Sequence, residues 1–119
     1  MKLSFKLSAL LLVLLITFGN GQLFAQSAKH KTEQFKVYGN CGMCKETIEG
    51  ALKKKEGISK KSWDKNTKML SVTFDESKLS LLQIKQKLAD VGYDTDELQA
   101  KDEVYNNLPD CCKYERAKK

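Results

Sequence analysis

Four cysteines hold most of the chemistry open to this chain of 119 residues. Cys41 and Cys44 form a C-x-x-C within G-N-C-G-M-C-K-E-T-I-E, Gly39 to Glu49, and Cys111 and Cys112 stand side by side near the C-terminus. Two sulfurs at the first spacing reach one small ion, and thiolates select soft ions, so Cu(I) is the first expectation, with Hg(II) or Zn(II) behind it. The same pair would also serve thiol–disulfide exchange, because a thiolate beside a helix N-terminus has a lowered pKa. No hydrolytic constellation accompanies the cysteines, since the single histidine, His30, lies in a short polar stretch.

The elements that must position these thiols follow from periodicity. Glu33 to Tyr38 alternates around Phe35 and Val37 and predicts a first strand. Lys45 to Lys55 predicts a helix whose apolar face is Cys44, Ile48, Ala51 and Leu52, ended by Gly57. Ile58 to Asp64, carrying Trp63, predicts a weaker strand, and Lys65 to Lys68 a hairpin turn. Met69 to Asp75 is the clearest strand, with Leu70, Val72 and Phe74 on one face. Ser80 caps a second predicted helix, Leu81 to Val91, which Gly92 stops, and Tyr93 to Leu98 is read as a last strand. The order is βαββαβ. It closes as an α+β sandwich, a four-stranded antiparallel sheet with both helices on one face. In that topology the Cys loop, the Lys65–Lys68 hairpin and Tyr93 share one end.

The termini lie outside this unit. Residues 1–25 combine Lys2 and Lys6, an apolar run from Ala9 to Ile16 and a small residue at Ala25, the pattern of an export signal. The run is too short to span a bilayer, so no stable span is expected after cleavage. Export places the protein in the periplasm of a Gram-negative cell, or outside the cell otherwise. Removing the two signal lysines lowers the net charge from +6 to +4, spread over many lysines and a single Arg116. That pattern reads as a solvated surface and argues against a nucleic-acid partner. Residues 26–32 read as a flexible leader, 33–98 as the domain and 99–119 as a tail.

With these motifs assembled, the chain resembles the heavy-metal-associated domain family, which includes small copper chaperones, modules of copper-transporting ATPases and the periplasmic mercury-binding protein. The resemblance is carried by Cys41-Gly42-Met43-Cys44, Ile48, Leu52, Gly57-Ile58, Val72-Thr73-Phe74-Asp75 and Gly92-Tyr93. It implies a ferredoxin-like fold, Cys41 and Cys44 as metal ligands, and Tyr93 close to the metal as a packing or tuning residue. It further implies a metal transporter or metal-receiving protein as partner, for which the lysines around the site predict an acidic docking face, and a monomer or metal-bridged dimer is expected. The sequence departs from the family at Gly39, where a methionine usually packs beneath the loop. Met43 is expected to repack into that space, the alternative being a thioether turned to the metal.

The tail is long enough to return to the site, because the 13 residues from Leu98 to Cys111 reach ~43 Å when extended. Cys111 and Cys112 are therefore candidate additional ligands to the same ion, within the chain or across a dimer. The competing readings are a redox-labile pair and a disulfide to the first pair. For the whole protein, the favoured function is a non-enzymatic soft-metal carrier or buffer working by ligand exchange. A thiol–disulfide oxidoreductase is the alternative, and a small secreted structural or adhesion domain is a third reading. The oxidoreductase is disfavoured because the only proline, Pro109, lies outside the domain. Clustering of Cys41 and Cys44 at a helix start argues against the structural domain.

Overall fold

A computed structural model describes residues 29–118. The signal at 1–25 and the leader residues 26–28 lie outside the described residues. The elements run β1 (His30–Lys36), α1 (Gly42–Gly50), β2 (Ile58–Trp63), β3 (Met69–Asp75), α2 (Leu81–Asp90) and α3 (Asp102–Asn106), with 3-10 turns at Lys54–Glu56 and Asp110–Cys112. Among the described residues, no helix is long and apolar enough to cross a membrane.

The sheet is three-stranded and antiparallel, in the order β1-β3-β2. Strand β3 sits centrally because its alternation is complete, burying Leu70, Val72 and Phe74. On β2 only Ile58 and Trp63 are buried. These two are five residues apart, which strict alternation would place on opposite faces. A register shift between Ile58 and Lys60 inserts the extra residue that returns both to the core. Ile48 and Leu52 after the Cys loop, and Ile84 and Leu88 on α2, join the strand residues in one cluster.

Three sequence expectations need correction. The sequence predicts a leader flexible to Thr32, yet His30 to Thr32 belong to β1, opposite Asp75, Phe74 and Thr73. The first helix ends at Gly50, not Lys55. Glycine within a helix costs about 1 kcal/mol relative to alanine, and the chain instead makes a separate 3-10 turn closed by Gly57 at φ +107°. The last strand is reduced to one bridge, Val37 opposite Thr95, with backbone bonds Tyr38 N–H to Asp94 O and Asp96 N–H to Lys36 O.

The reason that strand stops is local. The Thr95 hydroxyl oxygen accepts from the Glu97 and Leu98 N–H groups and turns the chain away from β1. Lys85, buried on α2, pairs with Asp96 and Glu97 and lies 4.9 Å from the Phe35 ring centroid. The acidic segment is thus compensated without becoming a strand.

Residues 99–118 pack on the domain. Asp94, fully buried, accepts from the Ala100 and Ala117 N–H groups and from the Arg116 guanidinium at 2.8 and 3.0 Å. Tyr114 donates to Gly92 O at 2.6 Å, accepts from Asp94 N–H at 2.9 Å and stacks on Tyr93. Burial pushes the Asp94 carboxyl up, but Arg116 and the two N–H donors outweigh it and hold it below the usual carboxylate range. A depressed folded-state pKa stabilises the fold above the unfolded value of about 3.9, and that contribution is lost as pH falls through the folded value. Asp94→Asn is therefore expected to lower the unfolding free energy by about 3 kcal/mol at neutral pH. Urea unfolding of variant and parent should begin to converge as pH falls below ~4 and meet only below the folded Asp94 value; an equal deficit at neutral and at that low pH would contradict this role.

Candidate metal centre

Cys41 is the N-cap of α1, in extended conformation at φ −137°, and Cys44 lies in the first helical turn. Both cysteines thus stand at the helix start, Cys41 at its cap and Cys44 inside it. The Cys41 thiol is lowered to about 7. The chief cause is the Cys44 backbone N–H, which favours the thiolate although the pair forms no regular cap bond; burial opposes this, and the Cys44, Cys111 and Cys112 thiols assist it. Cys44 is fully buried and its sulfur accepts from Asn40 N–H at 3.4 Å.

The space beneath this loop belongs to Trp63. Its indole N–H donates to Val37 O at 2.9 Å. A Cβ added to Gly39 would lie 3.0 Å from two of its ring carbons and 3.3 Å from Cys44 Cβ. Met43 accordingly does not repack there. It is 52% exposed, and its Sδ lies 3.4 Å from Cys111 Sγ. The exchange of loop methionine for tryptophan was signalled by Gly39 and by the chain's single Trp, but only spatial contact connects the two.

The tail brings the remaining cysteines to the same place. Cys41 Sγ lies 3.5 Å from Cys44 Sγ, 3.6 Å from Cys111 Sγ and 3.7 Å from Cys112 Sγ. Cys111 and Cys112 sulfurs are 3.8 Å apart, and all four thiols are free. Cys111 is exposed and Cys112 buried. The Cys111 thiol is raised, chiefly through Cys41, and the Cys112 thiol is raised, chiefly by burial.

Tyr93 is fully buried, and among the described residues its hydroxyl has no hydrogen-bond partner at ordinary distance. Its pKa is raised by burial first and then by the Cys112 and Cys44 thiols it faces. An unpartnered donor turned to sulfur suits a thiolate once an ion has displaced the proton. Residues whose part the sequence did not disclose are Trp63, Asp94, Tyr114 and Arg116, which support the sulfurs from distant positions.

Two results are expected from these environments. Alkylation of the metal-free reduced protein should be fastest at Cys41, half-maximal near pH 7 and falling as the thiolate protonates below it; peptide mapping of the labelled sites checks this. Tyr93→Phe removes a hydroxyl with no partner to lose, so the metal-free protein should change in stability by less than ~1 kcal/mol by thermal unfolding.

Residues 37–94 match the heavy-metal-associated domain family. The copper chaperone CopZ of Staphylococcus aureus (strain JH9) is 34% identical over 55 residues, covering 46% of this chain and 81% of the chaperone. A zinc-transporting ATPase of Synechocystis sp. is 38% identical over 69 residues, but the chain spans only 10% of that protein. Among solved structures, oxidized MerP from Ralstonia metallidurans CH34 superposes with a TM-score of 0.53 at 33% identity, covering 57% of this chain and 96% of that one. The shared ferredoxin-like architecture is kept here with three full strands. Fold, loop and relatives agree, and the chain belongs to the heavy-metal-associated domain family.

Proposed function

We infer that the protein is an exported carrier or buffer of a soft metal ion, bound through the Cys41 and Cys44 thiolates and passed on by ligand exchange. The single observation that supports this best is the lowered Cys41 thiol 3.5 Å from Cys44 at the start of α1. A thiol that ionises near neutral pH exchanges its proton for an ion readily. Soft sulfur donors favour Cu(I), with Hg(II) and Zn(II) as competitors. The relatives named for copper chaperoning and zinc transport agree with a cargo of this class.

Transfer needs a partner able to attack the ion as one sulfur leaves. A cavity beside the loop is lined by Lys36, Lys68 and Lys118, with Glu115 as its one carboxylate and with Arg116 already paired to Asp94 and Asp102. That charge favours a metal transporter or receiving protein with an acidic face. Export implies an oxidising compartment, where the pair must be reduced before it takes up metal. The same lowered thiol would serve a thiol–disulfide oxidoreductase, and the experiment separates the two.

Reduced protein is titrated anaerobically with Cu(I), Zn(II) and Hg(II) against a competing chelator, with stoichiometry read by mass spectrometry. Tight binding is expected, with Cu(I) preferred over Zn(II). Outer-shell partners alone cost 10- to 100-fold in affinity, so Cys41→Ser/Cys44→Ser should cost more than about 100-fold. If the chelator retains all three ions, the carrier reading fails and dithiol exchange becomes the better one.

A further inference from the structure

Cys41 belongs to two donor sets at once. One is the C-x-x-C pair. The other is a triangle with Cys111 and Cys112 whose sulfur–sulfur edges are 3.6, 3.7 and 3.8 Å, and these three residues form the cysteine group able to hold one ion. An ion ~2.3 Å from each sulfur in tetrahedral geometry spaces the sulfurs ~3.8 Å apart. The triangle therefore accepts such an ion with almost no movement.

Its position is built rather than incidental. Cys112 is 1% exposed and lies two residues before Tyr114, which is locked to Gly92 and Asp94. The Tyr105 hydroxyl donates to Tyr114 O at 2.6 Å, and Tyr105 meets the Tyr114 ring edge-on. The Tyr93 ring stacks on Tyr114, and its hydroxyl, with no oxygen or nitrogen partner among the described residues, faces Cys112. The Met43 thioether adds a soft atom 3.4 Å from Cys111.

We propose that Cys41, Cys111 and Cys112 form a three-thiolate seat for the soft ion, and that Cys41 is the pivot through which an ion captured by the C-x-x-C passes to the tail. This rests on the soft-metal reading above. In the step, the bond from the ion to Cys44 sulfur breaks as bonds to Cys111 and Cys112 sulfurs form. Cys111 and Cys112 each lose a proton; Cys44 takes up one and the other leaves to water. The ion keeps its oxidation state. Capture and retention are thereby divided: the pair takes up the ion at the partly exposed Cys41, and the triangle holds it with one more thiolate from the protein's own tail.

The test uses the reduced protein loaded with one equivalent of Cu(I) under anaerobic conditions. Sulfur coordination is read by X-ray absorption and affinity by chelator competition. Parent protein and Cys44→Ser should both show three sulfurs. Cys111→Ser/Cys112→Ser should fall to two sulfurs and bind roughly 100-fold more weakly, the low end of what a second intramolecular attachment adds. Cys111→Ser alone, at an exposed position, should also fall to two sulfurs, which guards against misfolding at buried Cys112. Two sulfurs in the parent, with affinity unchanged in the double variant, would overturn the seat and leave the C-x-x-C carrier standing. Failure of the parent to bind Cu(I) would overturn both.

Discussion

The buried carboxylate of Asp94 is the constraint on which the rest of the structure depends. A charge with no solvent exposure must be paired or pushed to neutrality. Asp94 is paired by two backbone N–H groups and the Arg116 guanidinium, all from residues that follow it. Meeting those bonds folds residues 99–118 back along the end of the sheet. The same commitment, with the turn at Thr95, stops the last segment from running on as a full strand beside β1. Shortening the sheet and docking the tail are two results of one electrostatic requirement.

The docked tail changes the chemistry of the Cys loop. Four thiols and a thioether converge where the C-x-x-C alone would supply two sulfurs. Closely placed thiols cannot all ionise without a cation, because like charges at such distances disfavour one another. Their pKa values separate accordingly: Cys41 is drawn down by the α1 start, whereas Cys111 and Cys112 are pushed up. A soft cation relieves that conflict by replacing protons across the group. Trp63 supports the arrangement from below, filling with one rigid ring the space that Gly39 leaves under the loop.

Local patterns were readable where packing obeys simple periods. Met69–Asp75 occupies the residues its alternation predicts, and the Ser80 cap forms a reciprocal box with Gln83. The first helix and the last strand are shorter than their sequence patterns predict because their ends depend on competition between local and tertiary bonds. Gly50 ends an apolar helical pattern that Ala51 and Leu52 would have continued, and the Thr95 turn ends an acidic segment whose extended start alone pairs with β1. Likewise, Ile58 and Trp63 on one face of β2 violates alternation, and only a bulge paired against β3 permits it.

The sequence by itself determined the soft-donor chemistry, the βαββα order and the membership that Cys41, Cys44, Gly57, Phe74 and Gly92 carry, because these follow from residue type and short spacing. Only the tertiary structure decided that Met43 faces outward, that Trp63 underlies the loop, and that Cys111 and Cys112 lie against Cys41. Those placements join residues some 20 to 70 positions apart. Trp63 is held by its bond to Val37 O, and the tail cysteines are placed by Asp94, Arg116 and Tyr114 satisfying one another, pairings that no period along the chain encodes.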